Sequence, residues 1–286
     1  MKEYIWILFV VLYVVLAPFI GGLITGIDRK ITARMQGRYG PPLLQPFYDV
    51  FKLLQKENMA VNKHQQFYVL SFLVFIIVAG SIFFAGGDLL LSIFALTLAS
   101  IFLVIAAYST FSPYAYIGAE RELIQIMAYE PMVILTIVGT YMVTKSFNVA
   151  DIAAYNGMLF LKLPAIFLGF LFILTIKLRK SPFDISMSHH AHQEIVRGLT
   201  TEFSGKELAY IEISHWYENV MLLGLVFLFF ASNPILALLI VAATYFLEIF
   251  IDNANSRLKW QSVLISAWVV AFVLGAGNIA VLALWG

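Results

Sequence analysis

Eight long apolar runs constrain this chain more than any other feature of its sequence. Each run is close to the roughly 17–25 residues that an α-helix needs to cross a bilayer. The runs lie at about 4–25, 67–84, 88–109, 123–144, 160–178, 217–232, 234–251 and 262–284. We therefore predict an all-α integral membrane protein with eight transmembrane helices, formed by residues 1–286 as a single membrane domain.

Composition supports a membrane protein over a soluble one. Hydrophobic residues make up 61% of the chain and charged residues only 12%, about half the charged share of a typical soluble domain. The runs at 217–232 and 234–251 are separated only by Asn233 and Pro234. One kinked helix is an alternative there, but about 35 apolar residues are too many for a single crossing.

The distribution of Lys and Arg predicts the orientation of the chain. With eight crossings, 15 of the 18 Lys and Arg residues fall on one side, and only Lys2, Lys145 and Lys162 fall on the other. The side rich in Lys and Arg is expected to be cytoplasmic. Both termini then lie outside, and the two long loops, at 26–66 and 179–216, are cytoplasmic.

The first long loop contains a predicted amphipathic helix. It follows the turn Gly37–Pro42, and Pro46 suits its first turn. Phe47, Val50, Phe51 and Leu54 recur at helical spacing on one side, with charged residues on the other. Such a helix is expected at the membrane surface or against a partner.

Span four contains the acidic residue that most needs a functional explanation. Glu130 is followed by Pro131, which lacks an N–H and disturbs the carbonyl four residues earlier. Backbone left unsatisfied there could hold water. Glu122 lies about 12 Å away along the same helix, so the two carboxylates suit a proton relay. For Glu120 and Glu122, a solvated helix start is the alternative.

The second long loop contains three histidines beside a glutamate: His189, His190, His192 and Glu194. They could bind zinc, titrate near neutral pH or contact a partner. Spacing suggests no fourth zinc ligand, so we predict an interface and no metal site. Asp184, Ser186 or Ser188 could cap a short helix. Glu202 and His215 stay open as site residues, whereas Glu207 and Glu212 suit a solvated amphipathic helix.

The remaining charges in or near the spans have simpler explanations. Glu248 and Asp88 lie close to predicted span ends, where they are expected to reach the interface. Asp252 and Arg257 are expected to be ordinary loop charges. The chain has no cysteine, so it supplies no thiolate ligand to an iron–sulfur cluster or nickel–iron centre. Electron carriers are therefore expected in partner subunits.

Three separated segments, in the correct order, resemble complex I subunit one, the H subunit of the bacterial enzyme. They are Asp28–Pro41 with Gln45–Glu57, then Gly118–Glu130, then Pro182–Asp184 with Thr201–Gly205. The resemblance implies a subunit with eight spans. It docks catalytic subunits on its cytoplasmic loops and carries a chain of acidic residues toward antiporter-like pump subunits.

Within this family, Ser188–Glu194 is similar to the loop of membrane-bound, energy-converting nickel–iron hydrogenases. Complex I has acidic residues in this loop and a Glu-Tyr pair where this chain has His215 and Trp216. The loop from Pro182 to Gly198 is also a few residues longer here. These departures favour a soluble substrate at a partner's metal site over a membrane quinone.

The resemblance implies two sets of site residues. The proton path comprises Glu130, Glu122, Glu120, Glu202, His215 and Asp28; the docking interface comprises Arg34, Arg38, Asp49, Asp184, His189, His190, His192 and Glu194.

The expected function is the anchor and proton-path subunit of a ferredoxin-linked, ion-pumping hydrogenase complex in a prokaryotic cell membrane. This chain would hold no cofactor and bind no nucleic acid. The large hydrogenase subunit and the small iron–sulfur subunit would dock on its cytoplasmic side. A sulfur-reducing complex and an NADH–quinone oxidoreductase are the alternatives.

Overall fold

The computed structural model describes residues 5–57, 59, 62, 64–186 and 197–285, and these residues form helices and loops without a β-strand. The helices are α1 (Ile5–Met35), α2 (Gln45–Gln55), α3 (Gln65–Phe84), α4 (Leu89–Tyr108), α5 (Pro113–Thr144), α6 (Val149–Ala153), α7 (Leu159–Lys162), α8 (Pro164–Lys177), α9 (Gly205–Leu228), α10 (Pro234–Ala254), α11 (Trp260–Val270) and α12 (Gly277–Trp285), with a π-helical segment (Ala271–Ala276) between the last two. The all-α prediction is confirmed for the described residues.

Six helical stretches of the described chain are long and apolar enough to cross a membrane. They comprise α1, α3, α4, α5, α10 and the continuous stretch from α11 to α12. Helices also cover the other two predicted runs, but α8 has only 14 residues and the first turns of α9 are polar. Eight crossings and outside termini therefore remain predictions.

The helix is interrupted between α9 and α10, as Asn233 and Pro234 suggested. The side chain of Asn233 caps α10 by accepting a hydrogen bond from the N–H of Leu236 at 3.3 Å. Pro234 occupies the first turn, where its missing N–H costs nothing. The single kinked helix is therefore excluded.

Three helices extend well beyond the predicted spans. α9 begins at Gly205, inside the predicted loop 179–216, and not at residue 217. α1 has 31 residues and α5 has 32, so each of these two is about 46–48 Å long, against about 30 Å for the bilayer core. The first part of the predicted loop 26–66 is therefore a continuation of α1. α1 ends just before Gly37, whose φ of +72° is easy only for glycine. These extensions carry Asp28 and Glu122 beyond the predicted spans.

α5 and α9 lie at the centre of the packing. α5 packs against α4, α8 and α11, while α9 packs against α1, α2, α3 and α10. A Cβ on Gly21 of α1 would collide with the backbone of Trp216, so α1 and α9 approach closely. α8 and α9 lack such extensive packing, and long polar side chains bridge the space between them.

The predicted amphipathic helix is confirmed as α2, which packs against α9 of the same chain. Phe47, Val50 and Leu54 surround Trp216 in one hydrophobic cluster. Phe51, on the same predicted apolar face, lies outside this cluster, and its side chain is exposed. Leu53 packs against the cluster as well.

The described part of the second loop is fastened to the N-terminal half of α5. Arg121 donates to the carbonyl of Ile185 at 3.2 Å, and Gln125 donates to the carbonyl of Phe183 at 2.6 Å. A Cβ on Gly118 would collide with the backbone at Leu199. The loop therefore lies directly on α5.

Candidate functional site

The turn that ends α8 places Lys177, Arg179 and Lys180 close together. It is a Schellman turn: the N–H of Lys180 bonds the carbonyl of Thr175, and that of Arg179 bonds Ile176, each at 3.0 Å. Arg179 occupies the position usually held by glycine, with a φ of +54°. That backbone conformation costs an arginine on the order of 1 kcal/mol. Contacts of the side chain must offset this strain.

Those contacts form the Arg179 cluster, which comprises Glu122, Lys177, Arg179, His215 and Glu218. The guanidinium of Arg179 lies 3.2 Å from Glu122 Oε1 and 3.4 Å from Glu218 Oε2. It also lies 2.9 Å from Nδ1 of His215. Lys177 Nζ lies 3.4 Å from the other oxygen of Glu218. Two cations thus offset two carboxylates in a nearly buried site, the condition under which buried charges are tolerated.

A second group, the Lys180 cluster, lies on the other side of the turn and comprises Asp28, Lys180, Tyr245 and Asp252. Lys180 donates to Asp28, and to Asp252 at 3.3 Å. Tyr245 donates to Asp28 at 3.3 Å. Asp252 also accepts from the backbone N–H of Ser181 at 2.8 Å. The expectation that Asp252 is an ordinary loop charge is therefore wrong.

Both cations beyond the end of α8 stay charged in this setting. Burial alone would lower the pKa of Arg179, but the carboxylates of Glu122 and Glu218 outweigh it and raise that pKa. Burial is likewise outweighed at Lys180, where Asp28 and Asp252 raise the pKa of the amine. Two fixed positive charges therefore sit between the two groups of carboxylates.

A cavity of about 480 Å³, the polar chamber, adjoins both clusters. Its walls include Asp28, Arg179, Lys180, His215 and Asp252. Ten of its 20 lining residues are charged. A space with such walls favours water and ions over an apolar ligand.

Glu130 lies beside the Arg179 cluster, and Lys177 of that cluster lines a cavity next to Glu130. Thr97 donates to Glu130 Oε1 at 3.0 Å. A small cavity of about 10 Å³ is lined by Glu130, Thr97, Tyr129 and Lys177, among others; that is about the space one water needs. Lys177 Nζ also lies 4.2 Å from the ring centroid of Tyr129. Lys177 therefore contacts Glu218 on one side and lines the Glu130 cavity on the other.

The backbone next to Glu130 is satisfied in a way the sequence did not reveal. Pro131 has no N–H for the carbonyl of Met127, four residues earlier. The indole N–H of Trp268 donates to that oxygen at 3.1 Å. The expected unsatisfied carbonyl is thus occupied by a side chain of α11.

The structure brings together four of the six predicted proton-path residues. Glu122 and His215 belong to the Arg179 cluster, Asp28 belongs to the Lys180 cluster, and Glu130 lies next to both Thr97 and the Lys177 cavity. Glu120 and Glu202 lie apart from this group.

Glu120 is exposed and accepts a hydrogen bond from Tyr108 at 2.7 Å. The carboxylate of Glu202 has no described hydrogen bond or ion pair within residues 5–57, 59, 62, 64–186 and 197–285. Its backbone carbonyl accepts from Gln65 at 3.5 Å.

The predicted docking residues divide into exposed and internal groups. Arg34 and Arg38 are exposed, and Arg34 lies 5.0 Å from the ring of Tyr39. Asp49 pairs with Arg29 at 2.6 Å.

Asp184 is buried and pairs with Arg257, whose Nε and Nη2 each lie 3.0 Å from a carboxylate oxygen. Arg257 is therefore not the ordinary loop charge that was expected.

His189, His190, His192 and Glu194 lie outside the described residues. Among the residues that the structure does describe, no group of three or more His, Asp or Glu side chains is arranged to hold a metal ion.

Sequence reasoning missed several buried charges. Lys177, Arg179 and Lys180 were interpreted only as orientation signals, and Glu218 received no role. Glu248 is 1% exposed, so the expected contact with the interface is wrong, and Glu207 is buried rather than solvated. Three cations within four positions at the end of an apolar run were the available signal, because so many charges at one helix end need partners.

A match to known proteins covers nearly the whole chain. The family model described as NADH dehydrogenase matches residues 7–283. The chain belongs to the family of complex I subunit one.

Two relatives illustrate the range of reactions within the complex I subunit one family. Hydrogenase-4 component C of Escherichia coli (strain K12) is 30% identical over 220 residues, covering 71% of this chain and 68% of that protein. The H subunit of the NADH-quinone oxidoreductase of Syntrophotalea carbinolica is 28% identical over 297 residues, covering 90% and 89%.

A solved structure has the same fold as this member of the complex I subunit one family. It is a chain of the membrane-bound sulfane sulfur reductase, an archaeal respiratory membrane complex, and the TM-score is 0.81. Sequence identity is 26%, over 96% of this chain and 99% of that chain. The family resemblance predicted from three segments is therefore confirmed. Because the relatives' names differ in the reaction, family membership alone does not fix the electron acceptor.

Proposed function

We propose that this chain is the membrane anchor and proton-path subunit of a ferredoxin-linked, ion-pumping nickel–iron hydrogenase complex in a prokaryotic cell membrane. The Arg179 cluster is the observation that carries this proposal. It holds Glu122 and Glu218 between fixed cations at the predicted cytoplasmic end of the helix packing. A purely structural anchor has no need for such a costly buried group.

The contacts suggest a route for protons. It begins at the polar chamber, where Asp28 and His215 are in the wall. It continues through Glu122 and Glu218, which share Arg179. Lys177 then joins Glu218 to the cavity beside Glu130. Because neighbouring charges shift each other's pKa, a proton gained at one carboxylate favours release at the next.

Partner subunits would supply the redox chemistry. The chain has no cysteine, so the iron–sulfur clusters and the nickel–iron site belong to the large and small hydrogenase subunits. Exposed Arg34 and Arg38 suit contacts with those subunits, and buried Asp184 would shape the second loop for the same purpose. A change of charge in the docked subunits would alter the polar chamber and then the carboxylates beyond it. Antiporter-like subunits would complete ion transport.

Two observations favour hydrogenase chemistry over quinone reduction. The first is the motif Ser188–Glu194, which resembles the corresponding loop of nickel–iron hydrogenases. The second is the charged wall of the polar chamber, because ligand pockets for apolar molecules are lined mainly by apolar side chains.

Glu130→Gln in the intact complex tests the proton path. We expect normal assembly and near-normal hydrogen chemistry with an artificial electron donor, together with loss of the coupled ion gradient. Glu57→Gln, an exposed carboxylate of the first loop, is the matched control. Undiminished ion pumping in the Glu130 variant would exclude this residue from the route.

The docking role has a separate test. Arg34→Ala combined with Arg38→Ala should release the soluble subunits from the membrane. Lys145→Ala combined with Lys162→Ala, on the predicted opposite side, should not. Normal copurification of the soluble subunits with the first variant would show that these arginines do not dock them.

A sulfur-reducing complex is the second candidate, supported by the TM-score of 0.81 to the sulfane sulfur reductase chain. Purified complex supplied with reduced ferredoxin distinguishes the two. Hydrogen release supports the hydrogenase, polysulfide reduction without hydrogen release supports the sulfur reductase, and activity only with a quinone contradicts both.

A further inference from the structure

An open groove lies where α4 ends and α5 begins, on the predicted cytoplasmic side. Its volume is about 580 Å³. It is lined by Tyr108, Phe111, Ser112, Pro113, Tyr116 and Glu120. The proton route proposed above uses none of these residues, so the groove needs its own explanation.

Glu120 gives the groove a carboxylate without a cationic partner. The side chain is exposed, and its one described contact is the hydrogen bond from Tyr108 to Oε1, at 2.7 Å. Among the residues that the structure describes, no Lys, Arg or His forms an ion pair with Glu120. The tyrosine hydroxyl fixes one oxygen and leaves the second free to accept.

Aromatic rings stand beside this carboxylate. The rings of Tyr108 and Tyr116 have centroids 5.1 Å apart and planes inclined by 53°. The negative faces of such rings attract a cation that approaches within about 6 Å of a centroid. A carboxylate next to a pair of tyrosine rings therefore offers a cation both a full charge and a π surface.

Phe111 lines the groove in an unusual conformation. Its φ is +55°, in the left-handed region, and its side chain is 85% exposed. For a bulky residue that backbone conformation costs on the order of 1 kcal/mol. An exposed aromatic ring held at such a cost is better explained by contact with another molecule than by the packing of this chain.

We propose that this groove receives a lysine or arginine side chain from a companion membrane subunit of the complex. The inference deepens the proposed function, because it assumes a complex with several membrane subunits. Charge complementarity identifies the occupant: the groove has one free carboxylate, three aromatic rings and no cation among its lining residues. A basic side chain satisfies the carboxylate and stacks on the rings at the same time.

Aromatic residues near a bilayer surface also occur as interfacial anchors. Anchoring explains tyrosine and phenylalanine, but it needs neither an unpaired carboxylate hydrogen-bonded to one of the rings nor a strained backbone. Lipid contact alone is therefore the outcome that would contradict the proposal.

Photocrosslinking in the intact complex provides the first test. p-Benzoylphenylalanine replaces Phe111, the purified complex is irradiated, and the adducts are mapped by mass spectrometry. We expect capture of one companion membrane subunit, at a segment that contains a lysine or arginine. The same label at Tyr114, which is exposed but does not line the groove, is the control. Adducts with lipid alone at position 111 would overturn the proposal.

Charge substitution gives a second readout in the same complex. Glu120→Lys should lower the salt concentration at which the companion subunit dissociates and weaken its retention by about tenfold. Glu120→Asp should restore most of the retention, and Asp151→Asn, an exposed carboxylate remote in sequence, should have no effect. Equal retention of the companion by wild type and Glu120→Lys would overturn the proposal. A wild-type complex without any companion membrane subunit would instead refute the proposed function itself.

Discussion

Trp268 donates its indole N–H to the carbonyl oxygen of Met127, the oxygen that Pro131 leaves without a helical partner. The N···O distance is 3.1 Å. One side chain of α11 thereby satisfies the backbone of α5 directly beside Glu130, and α5 continues as a helix through Pro131.

Trp268→Phe should disturb this arrangement while keeping most of the aromatic volume. Loss of one neutral hydrogen bond lowers the free energy of unfolding by about 1 kcal/mol, and the freed carbonyl becomes open to water. We expect reduced ion pumping with unchanged hydrogen chemistry, measured with an artificial donor. Trp260→Phe, in the same helix, is the control. Equal pumping by both variants would show that the Trp268 hydrogen bond has no part in coupling.

Thr97→Val should remove the hydroxyl next to Glu130 while keeping the shape of the side chain at position 97. The substitution removes the hydroxyl that donates to Glu130 at 3.0 Å, so the carboxylate loses a hydrogen-bond donor. We expect reduced ion pumping with unchanged hydrogen chemistry, measured with an artificial donor. Thr136→Val is the control, because it removes a buried hydroxyl that bonds only a backbone carbonyl, that of Met132. Equal pumping by the two variants would contradict the prediction.

Arg179→Met should destabilise the protein strongly. It leaves Glu122 and Glu218 without their shared cation in a buried site, which costs about 3–5 kcal/mol. Thermal unfolding in detergent measures the effect. Arg29→Met provides the comparison, because the Arg29–Asp49 pair is 41% and 39% exposed and contributes less than about 1 kcal/mol. Similar losses in both variants would mean that burial does not set the strength of these pairs.

Asp184→Asn should loosen the second long loop. Arg257 would lose its bidentate carboxylate, which holds the loop to the segment between α10 and α11. We expect faster amide hydrogen exchange at 181–186 and 198–204, with little change in α3 and α4. Unchanged exchange in the loop would show that other contacts, such as that of Gln125 with Phe183, suffice to hold it.

Much of the fold was predictable because the physics of a bilayer is simple. Long apolar runs become helices, and Asn233 with Pro234 marked a real helix boundary. The lengths of α1 and α5 were not predictable in the same way. Polarity marks where a helix leaves the bilayer, and it does not mark where the helix ends. The end of the helix is marked only by a later signal such as Gly37.

The candidate site was predictable where a residue was unusual in its own surroundings. Glu130 stood out because it precedes a proline within an apolar run, and Glu122 followed from its spacing. Lys177, Arg179 and Lys180 were visible as a group of cations at a span end, but the group did not identify its partners. Their role depends on partners from α1, α5, α9 and α10, which are distant in sequence. Pairing across such separations leaves no local pattern.

The attachment of the second loop to α5 has a mechanical consequence. The loop holds this helix through Gly118, Arg121, Glu122 and Gln125. No glycine or proline intervenes between Gly118 and Glu130, so about 18 Å of uninterrupted helix joins the two. A helix without such breaks resists sharp bending. Any displacement imposed on the loop from outside reaches Glu130 as the motion of one stiff rod, and Pro131 is the first joint at which that rod can flex.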